Sequence, residues 1–113
     1  MNNRRSMCPV ACTLDLIGDK WTLLVVRDLL LGRSLFKEFR AAPERIATNI
    51  LSDRLTKLIN ADLVETYDSP AKAGTDAYRL TEKGRSLGKI VEDFAQWGLD
   101  NIEGTEIRLK PKT

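Results

Sequence analysis

Residues 48–61 read TNILSDRLTKLINA, and residues 63–80 read LVETYDSPAKAGTDAYRL. On a helix the first stretch gathers Leu51, Leu55 and Leu58 on one side, with Ile59 at the edge. Asn49, Asp53, Thr56 and Asn60 fall on the opposite side, flanked by Ser52 and Lys57. The second stretch predicts a strand over Leu63 to Asp68, a turn at Ser69-Pro70-Ala71-Lys72-Ala73-Gly74 and a return strand over Asp76 to Leu80. Upstream, Ser34 can cap a short helix from Leu35 to Arg40 whose Leu35, Phe36 and Phe39 face inward, and Pro43 bars its continuation. A short helix, a turn, a helix with an apolar back and a polar front, and two strands around a Pro/Gly turn make a winged helix-turn-helix. That module suits one helix to a DNA groove.

Further out, Pro9 at a first helical position puts Cys8 at the N-cap of a short amphipathic helix marked by Val10, Leu14 and Ile17. Gly18 breaks that run, and Asp19 is a good cap for the next helix, Lys20 to Leu31, which is apolar nearly all round and so expected to be the central post. Gly32 suits its C-terminal stop. Thr81 caps a last long helix, predicted to run to about Ile102, with Leu87, Val91, Phe94 and Ile102 on one stripe and Ile90, Trp97 and Leu99 widening it. The expected organisation is mainly α (α+β), in one domain over residues 1–104. It divides into N-terminal helices at 8–31, the helix-turn-helix at 34–62, the wing at 63–80 and a dimerisation helix at 81–102, with a flexible tail at 105–113.

Composition narrows the function. With no histidine, the chain lacks the commonest general base and the commonest metal ligand, and Cys8 and Cys12 alone cannot complete a structural zinc site. Neither an enzyme nor a cofactor is therefore expected. The net charge is only +2, but residues 33–57 hold six basic side chains against three acidic, whereas residues 81–103 hold three against five. Positive charge is thus concentrated on the helix-turn-helix. The longest apolar runs are far too short to span a bilayer and residues 1–7 do not read as a secretion signal, so a cytoplasmic location away from membrane is expected.

Five motifs in order resemble the HxlR family of winged-helix transcriptional regulators over roughly Cys8 to Gly98: Cys8-Pro9-Val10, Ile17-Gly18-Asp19-Lys20-Trp21-Thr22, Phe36-Lys37-Glu38-Phe39, residues 46–55 (IATNILSDRL) and residues 78–84 (YRLTEKG). The resemblance implies a homodimer, paired through its first and last helices, that binds pseudo-palindromic operator DNA, and a repressor is the regulator expected here. For some members it also implies a cysteine near the N-terminus that senses oxidants or electrophiles, which maps onto Cys8. The chain departs from the family pattern at Ala47-Thr48, where Ser-Pro is frequent, and at Gly88-Lys89, where Leu-Pro is frequent.

On this reading the candidate base contacts are Thr48, Asn49, Ser52, Asp53 and Thr56, since Asn pairs with adenine and a carboxylate accepts from cytosine N4. Candidate phosphate contacts are Lys37, Arg40, Arg54, Lys57 and Lys72, although Arg54 sits near enough to the apolar stripe for an ion pair at the helix edge to be an equal alternative. Val10, Leu14, Leu87, Val91, Phe94 and Trp97 are the candidate dimer residues. Cys8 is the candidate sensor, because a thiolate at a helix N-cap would face the positive end of the helix dipole with Arg4 and Arg5 near, whereas Cys12, one turn inside, should pack as a small apolar residue. The two are four residues apart on a helix, where Cβ atoms stand about 6 Å apart, too far for an unstrained disulfide. Double-stranded DNA, a second copy of the chain and a small oxidant or electrophile are the expected partners. A winged helix used for protein contacts without DNA is the other reading the residues allow.

Overall fold

The computed structural model describes residues 4–70, 74 and 76–112. Its elements run α1 (Pro9–Ile17), α2 (Thr22–Leu30), α3 (Phe36–Arg40), α4 (Thr48–Asn60), β1 (Val64–Asp68), β2 (Asp76–Leu80), α5 (Glu82–Arg85) and α6 (Gly88–Asn101). This is a winged helix-turn-helix: α3 and α4 with an antiparallel two-stranded wing, backed by α2 and α6.

The core is where the apolar stripes meet. Val25, Val26 and Leu29 of α2, Phe39 of α3, and Leu51, Leu55 and Leu58 of α4 are buried together with Leu63, Val64 and Leu80 at the wing base. The post is α2, as its sequence implies, although it starts at Thr22 rather than Lys20. Asp19 still serves its beginning, accepting the N–H groups of Trp21 and Thr22 at 2.9 and 3.1 Å.

Both central helices end in the same way, with a left-handed residue and paired backbone bonds. At the end of α2, Gly32 (φ 93°) donates its N–H to Leu29 O at 3.1 Å, and Arg33 N donates to Asp28 O at 3.0 Å. At the end of α4, Asp62 (φ 62°) takes the left-handed position, and Leu63 N donates to Leu58 O at 2.9 Å. The turn at Asp62 drops Leu63 into the core beside Leu58 and launches β1. The bidentate pair of Arg27 with Glu44, at 2.9 and 2.8 Å, ties α2 to the loop that delivers α4.

Wing register sets Val64 opposite Leu80 and Tyr67 opposite Ala77. The wing is joined to the helix-turn-helix by a further backbone bond, Tyr78 N to Ser34 O at 2.8 Å, and by the edge-to-face contact of Tyr78 with Phe39. The cap of α3 differs from expectation. Glu38, rather than Ser34, closes it, reaching back to accept the N–H groups of Ser34 and Leu35 at 2.9 Å each.

The single long helix expected after Thr81 is corrected to two. Thr81 caps α5 through its Oγ1, which accepts Gly84 N at 3.0 Å. The ladder then tightens: Ser86 N is shared between Glu82 O and Lys83 O, Leu87 N reaches only three residues back to Gly84 O, and α6 begins afresh at Gly88. Residues 105–112, expected as a flexible tail, form no helix or strand, yet their end returns to the α2–α3 corner. There Lys112 N donates to Leu31 O at 2.7 Å, and Lys112 Nζ pairs with Glu38.

Candidate nucleic-acid interface

With Leu51, Leu55 and Leu58 fixed in the core, the opposite face of α4 must look outward. Thr48, Asn49, Ser52, Asp53 and Thr56 are all exposed on that helix, so the structure brings the five candidate base-reading residues together on one surface. The helix start has Ala47 at the N-cap with no side-chain cap. Its first N–H groups therefore remain available to an external acceptor such as a phosphate.

The far end of α4 is tied to the segment that follows the wing. Lys83 Nζ donates to Ala61 O at 3.1 Å and the Thr81 hydroxyl donates to Asp62 O at 2.6 Å, placing a cation at the negative end of the helix and fastening it to α5.

Lys37 and Arg40 on α3 and Lys57 on α4 are exposed, as phosphate contacts require. Lys72 lies outside the described residues. Arg54 takes the ion-pair alternative at the helix edge: its Nε donates to Asp19 Oδ1 at 2.9 Å and its NH1 donates to Asp53 Oδ2 at 2.5 Å. Lys57 Nζ stands 3.4 Å from the same Asp53 oxygen. Partial burial opposes the charge of the Asp19 carboxylate, but hydrogen bonds from Thr22, Arg54 and the Trp21 and Thr22 N–H groups hold it well below the usual carboxylate range. Sequence reasoning identifies Asp19 only as a helix cap and misses its hold on Arg54. The available signal is a long cation on the border of an apolar stripe, which needs a partner there.

Residues of α1, α2 and α6 line an open apolar groove of about 610 Å³, among them Val10, Leu14, Leu23, Ile90 and Phe94, and Asp19 lines it as well. Val10 is 67% exposed, Phe94 64% and Trp97 62%, Leu14 is exposed as well, and Val91 is half-buried. Leu87, expected in the same seam, is corrected: at 8% exposure it is packed in the core of this chain, leaving little of it for a partner to cover.

Cys8 is exposed at the N-cap of α1, but its thiol makes no cap bond; its own N–H donates to Ser6 Oγ at 3.1 Å. Arg5 is drawn away to Asp15, 2.6 Å distant. Cys12 is half-buried rather than fully packed, with its Sγ 3.4 Å from Ser6 O. Both cysteines are free.

The profile of the HxlR-like helix-turn-helix family matches residues 16–106. The chain is 37% identical over 102 residues to the uncharacterized HTH-type transcriptional regulator YybR of Bacillus subtilis (strain 168), covering 88% of this chain and 79% of YybR. It is 30% identical over 93 residues to the HTH-type transcriptional regulator YodB of the same organism, covering 81% and 83%. Among solved structures, the redox regulator HypR in its reduced form superposes with a TM-score of 0.73 at 34% identity, covering 85% of this chain and 95% of HypR. Reduced YodB superposes with a TM-score of 0.70 at 28% identity, covering 89% and 100%.

Proposed function

The chain belongs to the HxlR-like helix-turn-helix family of transcriptional regulators, and on that premise we propose that it acts as a homodimeric, DNA-binding repressor whose two α4 helices enter successive major grooves of a pseudo-palindromic operator. The observation that carries this reading is the exposed polar face of α4, opposite a fully buried apolar face and locked at its far end. Lys37, Arg40 and Lys57 flank it with positive charge, and Lys72 belongs to the wing-tip segment of the sequence. A dimer sealed through α1 and α6 would cover Val10, Leu14, Phe94 and Trp97, whose exposure a small domain in water does not favour. Occupancy of the operator then excludes polymerase.

Exposed Cys8, at the start of the helix that carries Val10 and Leu14, gives a small oxidant or electrophile access to the seam, and its modification would alter the set of the two reading heads. A mobility-shift titration on DNA flanking the protein's own coding region tests the reading, run reduced and oxidised and over a salt series. Specific binding whose affinity falls steeply with salt is expected. In the same assay Lys37→Ala or Arg40→Ala should weaken all sequences alike and lower the salt slope by about 1. Asn49→Ala should cost about 1 to 3 kcal/mol at the preferred site and relax one base position. A chain that binds no DNA while capturing a protein through α4 would instead be a protein-interaction module.

A further inference from the structure

Asp53 stands on the reading face of α4, where a bare carboxylate would be repelled by phosphates. It is not bare. One of its oxygens, Oδ2, receives both Arg54 at 2.5 Å and Lys57 at 3.4 Å, while the side chain stays half exposed. A carboxylate has about four acceptor sites, so Oδ1 keeps its capacity for a donor in the groove. Arg54 cannot swing freely, because its Nε is held by Asp19 at 2.9 Å. Asp19 is fixed in turn by the N–H groups of Trp21 and Thr22 and by the Thr22 hydroxyl at the start of α2.

We propose that Asp19 is a positioning residue for base recognition: through Arg54 it orients Asp53 so that Oδ2 is occupied by cations and Oδ1 is presented to the amino group of a cytosine. This rests on the DNA-binding reading above. The chemistry fits, since a carboxylate accepts from the cytosine N4 amino group, whereas guanine N7 and O6 and thymine O4 are acceptors that would repel it and adenine sets its N7 acceptor beside its N6 amino group. The formal charges of Asp19, Arg54, Asp53 and Lys57 cancel, which lessens the repulsion between the Asp53 carboxylate and the phosphates of the duplex. Asp19 also lines the groove between α1 and α6, which joins base reading to the surface proposed to seat the second copy.

Binding-site selection from a randomised duplex pool tests this, using the whole chain as wild type, Asp53→Asn and Asp19→Asn, with folding checked by circular dichroism and thermal melting. Wild type should prefer cytosine at one position of each half-site by roughly tenfold. Asp53→Asn should abolish that preference. Asp19→Asn should reduce it at the same position, leave the Asn49-dependent position intact, and add nothing in the Asp53→Asn background. A merely structural role for Asp19 would weaken every sequence equally, and that result, or an unchanged preference in either variant, overturns the proposal while DNA binding stands. If Asp19→Asn does not fold, Arg54→Lys, which keeps the charge but loses the fork, is judged by the same criteria. A wild-type chain that selects no sequence overturns both readings.

Discussion

The carbonyl oxygen of Leu63 lies directly against Gly84, leaving no space there for a Cβ. The same oxygen accepts Thr81 N at 3.0 Å, so the entry to the wing and the start of α5 are packed backbone to backbone.

Gly84→Ala should therefore destabilise the fold by roughly 1 to 3 kcal/mol, since the chain must part where β1 begins. The midpoint of urea unfolding measures this. An alanine variant as stable as the wild type would show that α5 can lift from Leu63 at no cost.

Glu38 joins three segments, accepting Ser34 N, Leu35 N and the ammonium of Lys112. Burial opposes its charge, but these partners prevail and lower its pKa from 4.5 to about 2. A carboxylate depressed by folding contributes stability that is complete above its unfolded pKa and is lost as pH falls through the folded value. Glu38→Gln should consequently unfold more easily than wild type at pH 7, by roughly 2 kcal/mol. The difference should shrink from about pH 4.5 downward and vanish near pH 2. Melting curves across that interval check the sign; a gap that widens in acid would reverse it.

The reading head was legible in the sequence because its signals are local. Leu51, Leu55 and Leu58 repeat at helical spacing, Pro70 and Gly74 punctuate the wing, and Gly32 marks a stop. The break before α6 was not legible: its tightened turn stands where Gly84 packs on Leu63, a contact between residues 21 positions apart by their numbers. The Asp19–Arg54 pair spans 35 positions and was equally hidden; helical geometry could say only that Arg54 needed a partner. The return of Lys112 to Leu31 left no periodic trace at all.

Phe94→Glu should turn the proposed dimer into a monomer without lowering its melting temperature, since the ring is 64% exposed and a charge there disturbs the seam rather than the core. Operator binding should fall with it, because one half-site offers too few contacts. Sedimentation velocity beside a mobility shift reads both. A dimer that persists in this variant would move the seam away from α6.

Cys8 should react before Cys12, being exposed where Cys12 is half-buried and held near Ser6 O. Mass spectrometry after brief alkylation gives the order. Cys8→Ser should bind DNA as wild type does and ignore oxidant, whereas Cys12→Ser should still respond. An oxidant response that survives in Cys8→Ser would assign sensing elsewhere.

The bond from Tyr78 N to Ser34 O, with Phe39 packed on the Tyr78 ring, gives the molecule the character of a caliper jaw. A jaw does not bend; its hinge alone decides the gap. With the wing fastened to the helix-turn-helix, the spacing between two reading helices in the proposed dimer is set at α1 and α6. Half-sites one DNA turn apart stand roughly 34 Å from each other, so a slight rotation at that hinge is magnified at the tips. A signal received at the hinge can then release the operator while each jaw keeps its shape.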